Sequence, residues 1–417
     1  MHNWRIKIAL FLIYVVFAML LNSVGTVILQ VMGNYDLRHV DAAILEAFKD
    51  LPIAVVSLLV ASFLPRLGFR RAMMLGLAIV TGACIAMPLV PAFLTTKLLF
   101  LCVGASFALV KVSVYATVGL ITEDAKEHAS TMNTLEGMFM IGVLMGYWIF
   151  AQFVSIDDPK SQDWLNVYWL LAGIAAFTFV VLFFTPYDES GSKLENSSRS
   201  LGDDFVGMLR LVIRPVAYVF VISAFLYVLI EQGIGTWLPT FNKEILHLPT
   251  DMAIEAGIIF SGTLAIGRLS AGAVLARFDW YPVLNFCLVA MAVLVLLVLP
   301  LTHGAVADAN ITWLTAPPAA YIFPLIGLFM APIYPAINSV VLSALPRHQH
   351  AAMTGLIVIF SALGGTTGSL ITGRVFGAFG GQTAFYFSLV PMVGILIALY
   401  FFRRETRRTG EAVTGEA

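Results

Sequence analysis

Long apolar runs separated by short polar breaks set the pattern of this chain. Twelve runs are long enough to cross a bilayer, which takes roughly 20 helical residues. They cover approximately residues 6–32, 41–64, 71–91, 95–121, 128–154, 163–185, 212–243, 251–275, 280–300, 316–344, 349–375 and 381–403, numbered spans one to twelve. The first run, apolar from Arg5 to about Met32, is too long for the core of a cleaved signal and is read as a retained helix. One connection is long: Pro186 to Asp204 is polar, Ser-rich and without periodicity. It predicts a cytoplasmic linker over 186–207, between a six-helix bundle over 1–185 and a second bundle with a tail over 208–417. The expected fold is an all-α membrane protein of twelve transmembrane helices in two pseudo-symmetric bundles.

The halves resemble each other. Sliding the second by 223 residues places Gly104 of GASFALVKVSVY on Gly327 of GLFMAPIYPAINS, and Gly142 on Gly365. The loops PRLGFRR, after span two, and ARFDWYP, after span eight, then coincide. Cationic residues set the orientation. With the N-terminus inside, inner segments hold 16 Lys and Arg residues and outer segments hold 5 (Arg38, Lys97, Lys160, Lys243 and Arg374). An even number of spans puts both termini in the cytoplasm.

Composition narrows the function. The chain is 59% hydrophobic and 12% charged, against about 25% charged in soluble domains. A formal net charge of −1 gives no reason to expect a nucleic-acid partner. Cys84, Cys102 and Cys287 lie far apart in apolar runs, without the spacing of a disulfide framework or metal site. No phosphate-binding Gly-Lys-Ser/Thr loop, histidine cluster or repeated filter loop is present, which argues against an ATP-driven pump, a membrane enzyme and a channel. No cofactor is expected.

The candidate chemistry starts in span seven, where an apolar stretch from Phe220 to Phe241 carries Glu231 and Gln232. An ionisable residue at such depth is costly and is found facing a bundle interior or a watery cavity. Gly233, Gly235 and Pro239 follow, and predict a helix loosened beside a cavity. Glu231 is read as a charge-changing group; the competing reading is a structural carboxylate locked to a partner.

The loop PRLGFRR, with Arg66, Gly68, Arg70 and Arg71, resembles the Gly-and-Arg motif between spans two and three of the major facilitator superfamily. Its usual first Gly and its Asp are missing, since Leu64 and Pro65 stand there. Within that superfamily the chain is similar to the fucose/galactose/glucose–proton symporter group. The stretches that carry this are YVLIEQGIGTWLPTF in span seven, GTLAIGRLSAG with Arg268 in span eight, and GLFMAPIYPAINS in span ten. The group's span-one carboxylate has no counterpart, because span one offers only Asn22 and Gln30, and span four offers Lys111 where a carboxylate is expected.

The resemblance implies that spans one, four, seven and ten line a substrate path, and that spans two, five, eight and eleven lie where the halves meet. Lys111 then sits mid-span four. Glu136 lies about 12 Å deep at 1.5 Å per residue, and Arg268 at a similar depth. Lys111, Glu136 and Arg268 are expected either to form a switching network or to include a static Lys111–Glu136 bridge, with Glu231 and Glu136 as proton-coupling groups. In span two, Glu46, Lys49 and Asp50 share a helix face. They are expected to pair among themselves or to snorkel, and Asp50 is the candidate for an outer gate. Solute contacts are assigned to Asn22, Gln30, Tyr115, Gln232, Trp237, Tyr334, Asn338 and Ser339; Trp237 fits a sugar-stacking face or the interfacial aromatic belt equally.

These readings predict proton-coupled symport of a small polar solute such as a sugar, by alternating access. The alternatives are proton-coupled organic-anion transport and export of amphipathic compounds. The expected partners are a small-molecule substrate, protons and the lipid bilayer, with no nucleic acid. The expected state is a multi-pass monomer in a plasma membrane, the bacterial inner membrane.

Overall fold

In lipid a backbone finds no water to bond, so each apolar run must close its own hydrogen bonds, and a helix does this within one segment. The computed structural model describes residues 4–122, 125–155, 158, 160–185, 215–275, 277–302, 311–337 and 350–414. Among these, every regular element is a helix. Eleven helices are long and apolar enough to cross a membrane, and Ile44–Leu67, with 24 residues, takes the place of span two. The fold is the expected all-α membrane architecture. The segment expected as a linker lies outside the described residues, as do Asn338 and Ser339.

The chain divides into two compact units. One is Met1–Ser198 with Thr250–Ile258; the other is Arg199–Pro249 with Ile259–Ala417.

In the first unit, span one is two helices, Trp4–Asn22 and Val24–Tyr35. Side chains compete for carbonyls at the break: the Asn22 amide donates to the Ala18 carbonyl at 2.9 Å, and the Ser23 hydroxyl to that of Leu20 at 2.8 Å. Spans three to six follow as Phe69–Leu89, Phe93–Ile121, Ala125–Ala151 and Val167–Phe184. Gly68 makes the turn between spans two and three with φ 87°, a conformation that only glycine adopts without strain. Arg70 of the same loop donates to the Phe183 carbonyl, fastening the loop to the end of span six. In the connection after span one, Arg38 donates two hydrogen bonds to Asp41 and holds that carboxyl below its ordinary range.

In the second unit, span seven is one continuous helix, Pro215–Glu244, with Pro239 inside it. The expected loosening at Gly233 and Gly235 does not occur. The two glycines serve packing instead. A Cβ on Gly233 would come within 2.8 Å of the Thr372 hydroxyl in span eleven, and one on Gly235 within 3.2 Å of the Phe260 ring in span eight. Small residues let membrane helices approach, and approach is what these glycines provide. Span eight, Thr250–Leu275, belongs to this unit from Ile259 onward, and span nine is Trp280–Val298. Span ten is broken into Ala319–Ile322, a tight turn Phe323–Leu325 and Ile326–Met330. Pro324 and Pro332, which lack the donor a helix needs, lie in this segment. Spans eleven and twelve are His350–Phe379 and then Gly381–Tyr386 with Leu389–Thr414.

Both units pack by the same small-residue scheme. In the first, Gly104 of span four meets the Lys49 backbone of span two; in the second, Gly327 of span ten would place a Cβ 2.8 Å from the Phe260 carbonyl of span eight. Span five rests on span one through Gly142 against Val15 and Gly146 against Met19. Span eleven rests on span seven through Gly364 against Phe225 and Gly368 against Leu229. Packing therefore matches Gly142 with Gly364, not with Gly365, so the repeat offset is one residue smaller in span eleven than in span ten.

Candidate functional site

In the second unit, the continuity of span seven fixes Glu231 near the middle of a 30-residue helix. Its side chain keeps 23% of its exposure, and Arg268 of span eight, at 39%, sets a guanidinium Nη2 3.4 Å from Glu231 Oε1. One turn earlier on the same helix face, the Tyr227 hydroxyl donates to the same oxygen, also at 3.4 Å. The Tyr227 ring stacks on Tyr334 with centroids 5.4 Å apart, and the Tyr334 hydroxyl is 3.0 Å from that of Ser361. Cation, carboxylate and three hydroxyls thus run together across spans eight, seven, ten and eleven. A pair at 3.4 Å that retains water access is weakly held and exchanges partners cheaply.

The first unit carries a second group. The Tyr115 hydroxyl of span four donates to Glu136 Oε1 of span five at 2.8 Å. Phe107, Lys111 and Tyr115 follow one another at a spacing of four on one helix face. The Lys111 ammonium is 5.7 Å from the Phe107 ring centroid and 5.8 Å from that of Tyr115. This seats the cation on an aromatic platform. Tyr14 of span one stacks on Tyr115 at 6.4 Å, and Phe139 meets Tyr14 edge-on at 5.9 Å.

The remaining candidates are placed as follows. Trp237 is fully buried; its indole N–H donates to the Ser369 carbonyl and hydroxyl, both at 3.1 Å, and its ring lies 5.7 Å from Phe376. It fastens span seven to span eleven. Gln30 is buried, and Gln232 is half-buried beside Glu231. Asn22 uses its amide at the span-one break. Asp50 and Lys49 approach to 3.5 Å, and Lys49 also pairs with Glu46. All three are buried, so this cluster pairs internally and does not snorkel. The structure gives Glu136 and Arg268 partners within their own units, Tyr115 and Glu231. Among the described residues, no His, Cys, Asp and Glu group is arranged to hold a metal ion.

Sequence reasoning missed Tyr14, Phe107, Tyr227 and Ser361. The spacing of four between Tyr227 and Glu231 was a usable signal. Nothing in the sequence marked Ser361, whose role depends on the approach of span ten to span eleven.

A family model of the Major Facilitator Superfamily matches residues 10–366. Among curated proteins none matches the sequence significantly. Solved structures of similar fold include a bacterial homologue of the human lysosomal transporter Spinster, inward-facing and occupied, with TM-score 0.73, 14% identity and 97% of each chain covered. A D-xylose-proton symporter matches with TM-score 0.73 and 12% identity, over 96% of this chain and 98% of that one. A variant of the E. coli fucose:proton symporter FucP matches with TM-score 0.61 and 15% identity, over 96% and 99%. At these identities the likeness is one of fold.

Proposed function

The chain belongs to the major facilitator superfamily, and on that footing we propose proton-coupled symport of a small polar solute such as a sugar, by alternating access. It is a multi-pass membrane transporter, not an enzyme. The observation that carries the proposal is the half-exposed Glu231–Arg268 pair at mid-helix, joined to the hydroxyls of Tyr227, Tyr334 and Ser361. Ionisable residues at such depth mark transport paths. Two proteins of the same fold are a D-xylose-proton symporter and a fucose:proton symporter, which supports this substrate class.

In this reading Glu231 takes the proton. Its neutralisation releases Arg268, whose exposed guanidinium then binds solute or finds another partner. Glu136, held by Tyr115, is the second carboxylate of the coupling, and Lys111 sets the charge balance beside it. Asp50, sealed beside Lys49, is a fixed charge and not a gate. Gln232 and Tyr334 supply solute contacts with Tyr115, and Asn22, Gln30 and Asn338 complete the assignment, while Trp237, buried against Ser369, holds span seven to span eleven. The two six-helix bundles, 1–185 and 208–417, are joined by the segment 186–207. The protein is a monomer of the bacterial inner membrane with both termini cytoplasmic.

A pH-jump assay in proteoliposomes, screened against sugars and carboxylates, tests the proposal. Glu231→Gln is expected to lower solute accumulation by about tenfold, within the range of ordinary coupling energies, while solute exchange without a gradient persists. Undiminished accumulation by that variant overturns the coupling role. A second reading, organic-anion transport, is favoured by Arg268 at 39% exposure and by Lys111 on its aromatic platform. Uptake of carboxylates and not sugars in the same screen decides for it.

A further inference from the structure

Within the second unit, spans eight, nine and ten enclose an open groove of about 430 Å³. Ala271, Val274 and Phe278 form one wall, Phe286 and Cys287 another, and Phe329 a third. The lining is almost wholly apolar and includes none of the charged or hydroxyl groups around Glu231. Phe278 and Phe286 are 63% and 65% exposed, and Phe286 meets Phe329 edge-on at 6.0 Å. Among the lining side chains only Ser270 offers a polar solute a hydrogen-bonding group. In a membrane-spanning chain, an exposed aromatic groove is filled from the bilayer.

One end of the groove is basic. Arg277 is exposed in the turn between spans eight and nine, next to Phe278. Arg403 of span twelve lies over the Tyr281 ring at 4.3 Å, and Pro282, the next residue, lines the groove. Arg404 follows, exposed. The turn's one acid, Asp279, immediately precedes the span-nine helix. An apolar channel with guanidinium groups at one end matches an acyl chain with a negative headgroup, since juxtamembrane cations attract anionic lipid.

We propose that this groove binds an anionic phospholipid, with one acyl chain between spans eight, nine and ten and the phosphate at Arg277 and Arg403. The site stands apart from the Glu231 group and does not depend on which solute is carried.

Native mass spectrometry of the full chain, loaded with either phosphatidylglycerol or phosphatidylcholine, tests it. The wild type is expected to retain phosphatidylglycerol over phosphatidylcholine by about thirtyfold, given the attraction of two cations near the surface. Arg277→Gln or Arg403→Gln alone is expected to reduce that preference roughly fivefold. Ala271→Trp, which fills the groove, is expected to lower retention of both lipids. The arginine variants leave the apolar walls of the groove unchanged and keep the test valid if the tryptophan variant fails to fold. Equal retention of the two lipids by the wild type, or a preference unchanged in the double arginine variant, overturns the proposal.

Discussion

Span two and span seven both set carboxylates beside a cation, yet in different surroundings. In the first unit the Glu46, Lys49 and Asp50 side chains retain 0%, 6% and 8% of their exposure. In the second, the Glu231 and Arg268 side chains retain 23% and 39%. The helices around them pack alike, with span four on span two through Gly104, span ten on span eight through Gly327, and paired glycines holding spans five and eleven to spans one and seven. The scaffold repeats and the electrostatics do not. A charge sealed from water cannot lose its partner cheaply, whereas a half-exposed one can. The first unit's span-two cluster is therefore suited to staying put, and the second unit's pair to changing partners.

Removing one cation from each unit tests that contrast most severely. Lys49→Met leaves Glu46 and Asp50 buried without their ammonium, which is expected to cost about 3–5 kcal/mol. Arg268→Met strips a pair that water already reaches, and is expected to cost about 1 kcal/mol or less. Thermal unfolding of both variants in the same detergent measures the difference. Equal losses would erase the distinction drawn between the units.

Packing offers a finer test within the shared scaffold. Gly364 and Gly368 face backbone carbonyls of span seven, which cannot retreat; an alanine at either is expected to cost about 1–3 kcal/mol as overpacking. A Cβ on Gly142 would lie 2.6 Å from the Val15 carbonyl, and Gly142→Ala is expected to behave the same way, as the repeat requires. Gly146 is the exception. Its Cβ would approach Met19 at 3.3 Å, a contact that a shift of a few tenths of an ångström relieves. Gly146→Ala is expected to be the mildest of the four. A melting series in which it ranks with Gly368→Ala would show that the two seams are equally tight.

Hydropathy alone made the twelve spans legible, because lipid permits an apolar run little but helix. The glycine repeat was legible too, apart from its one-residue slip in span eleven. What the sequence misjudged was the purpose of Gly233 and Gly235. A glycine that loosens a helix and one that admits a neighbour look the same in one dimension, and only the approach of Thr372 and Phe260 tells them apart. The same holds for Trp237: burial against Ser369 and Phe376, not its own chemistry, makes it a fastening. Glu231 stood out as costly, but its contact with Arg268, 37 residues away, was not legible in one dimension.

The smallest expected effect separates the units by their tyrosines. Tyr115 donates to Glu136 at 2.8 Å, a well-formed bond, whereas Tyr227 reaches Glu231 only at 3.4 Å, beyond the usual range. Phenylalanine at either position keeps the ring and its stacking on Tyr14 or Tyr334, and removes only the hydroxyl. On stability, Tyr115→Phe is expected to cost about 1 kcal/mol, near the middle of the hydrogen-bond range, and Tyr227→Phe less. On transport the order is expected to reverse. Glu231 shares one oxygen between Tyr227 and Arg268, so loss of the phenol shifts that carboxylate toward its cation and slows the exchange of partners. Initial uptake rates and melting temperatures, measured on the same two preparations, give both orders at once. If Tyr115→Phe dominates in both measurements, the first unit's carboxylate carries the coupling and the second unit's pair is the static one.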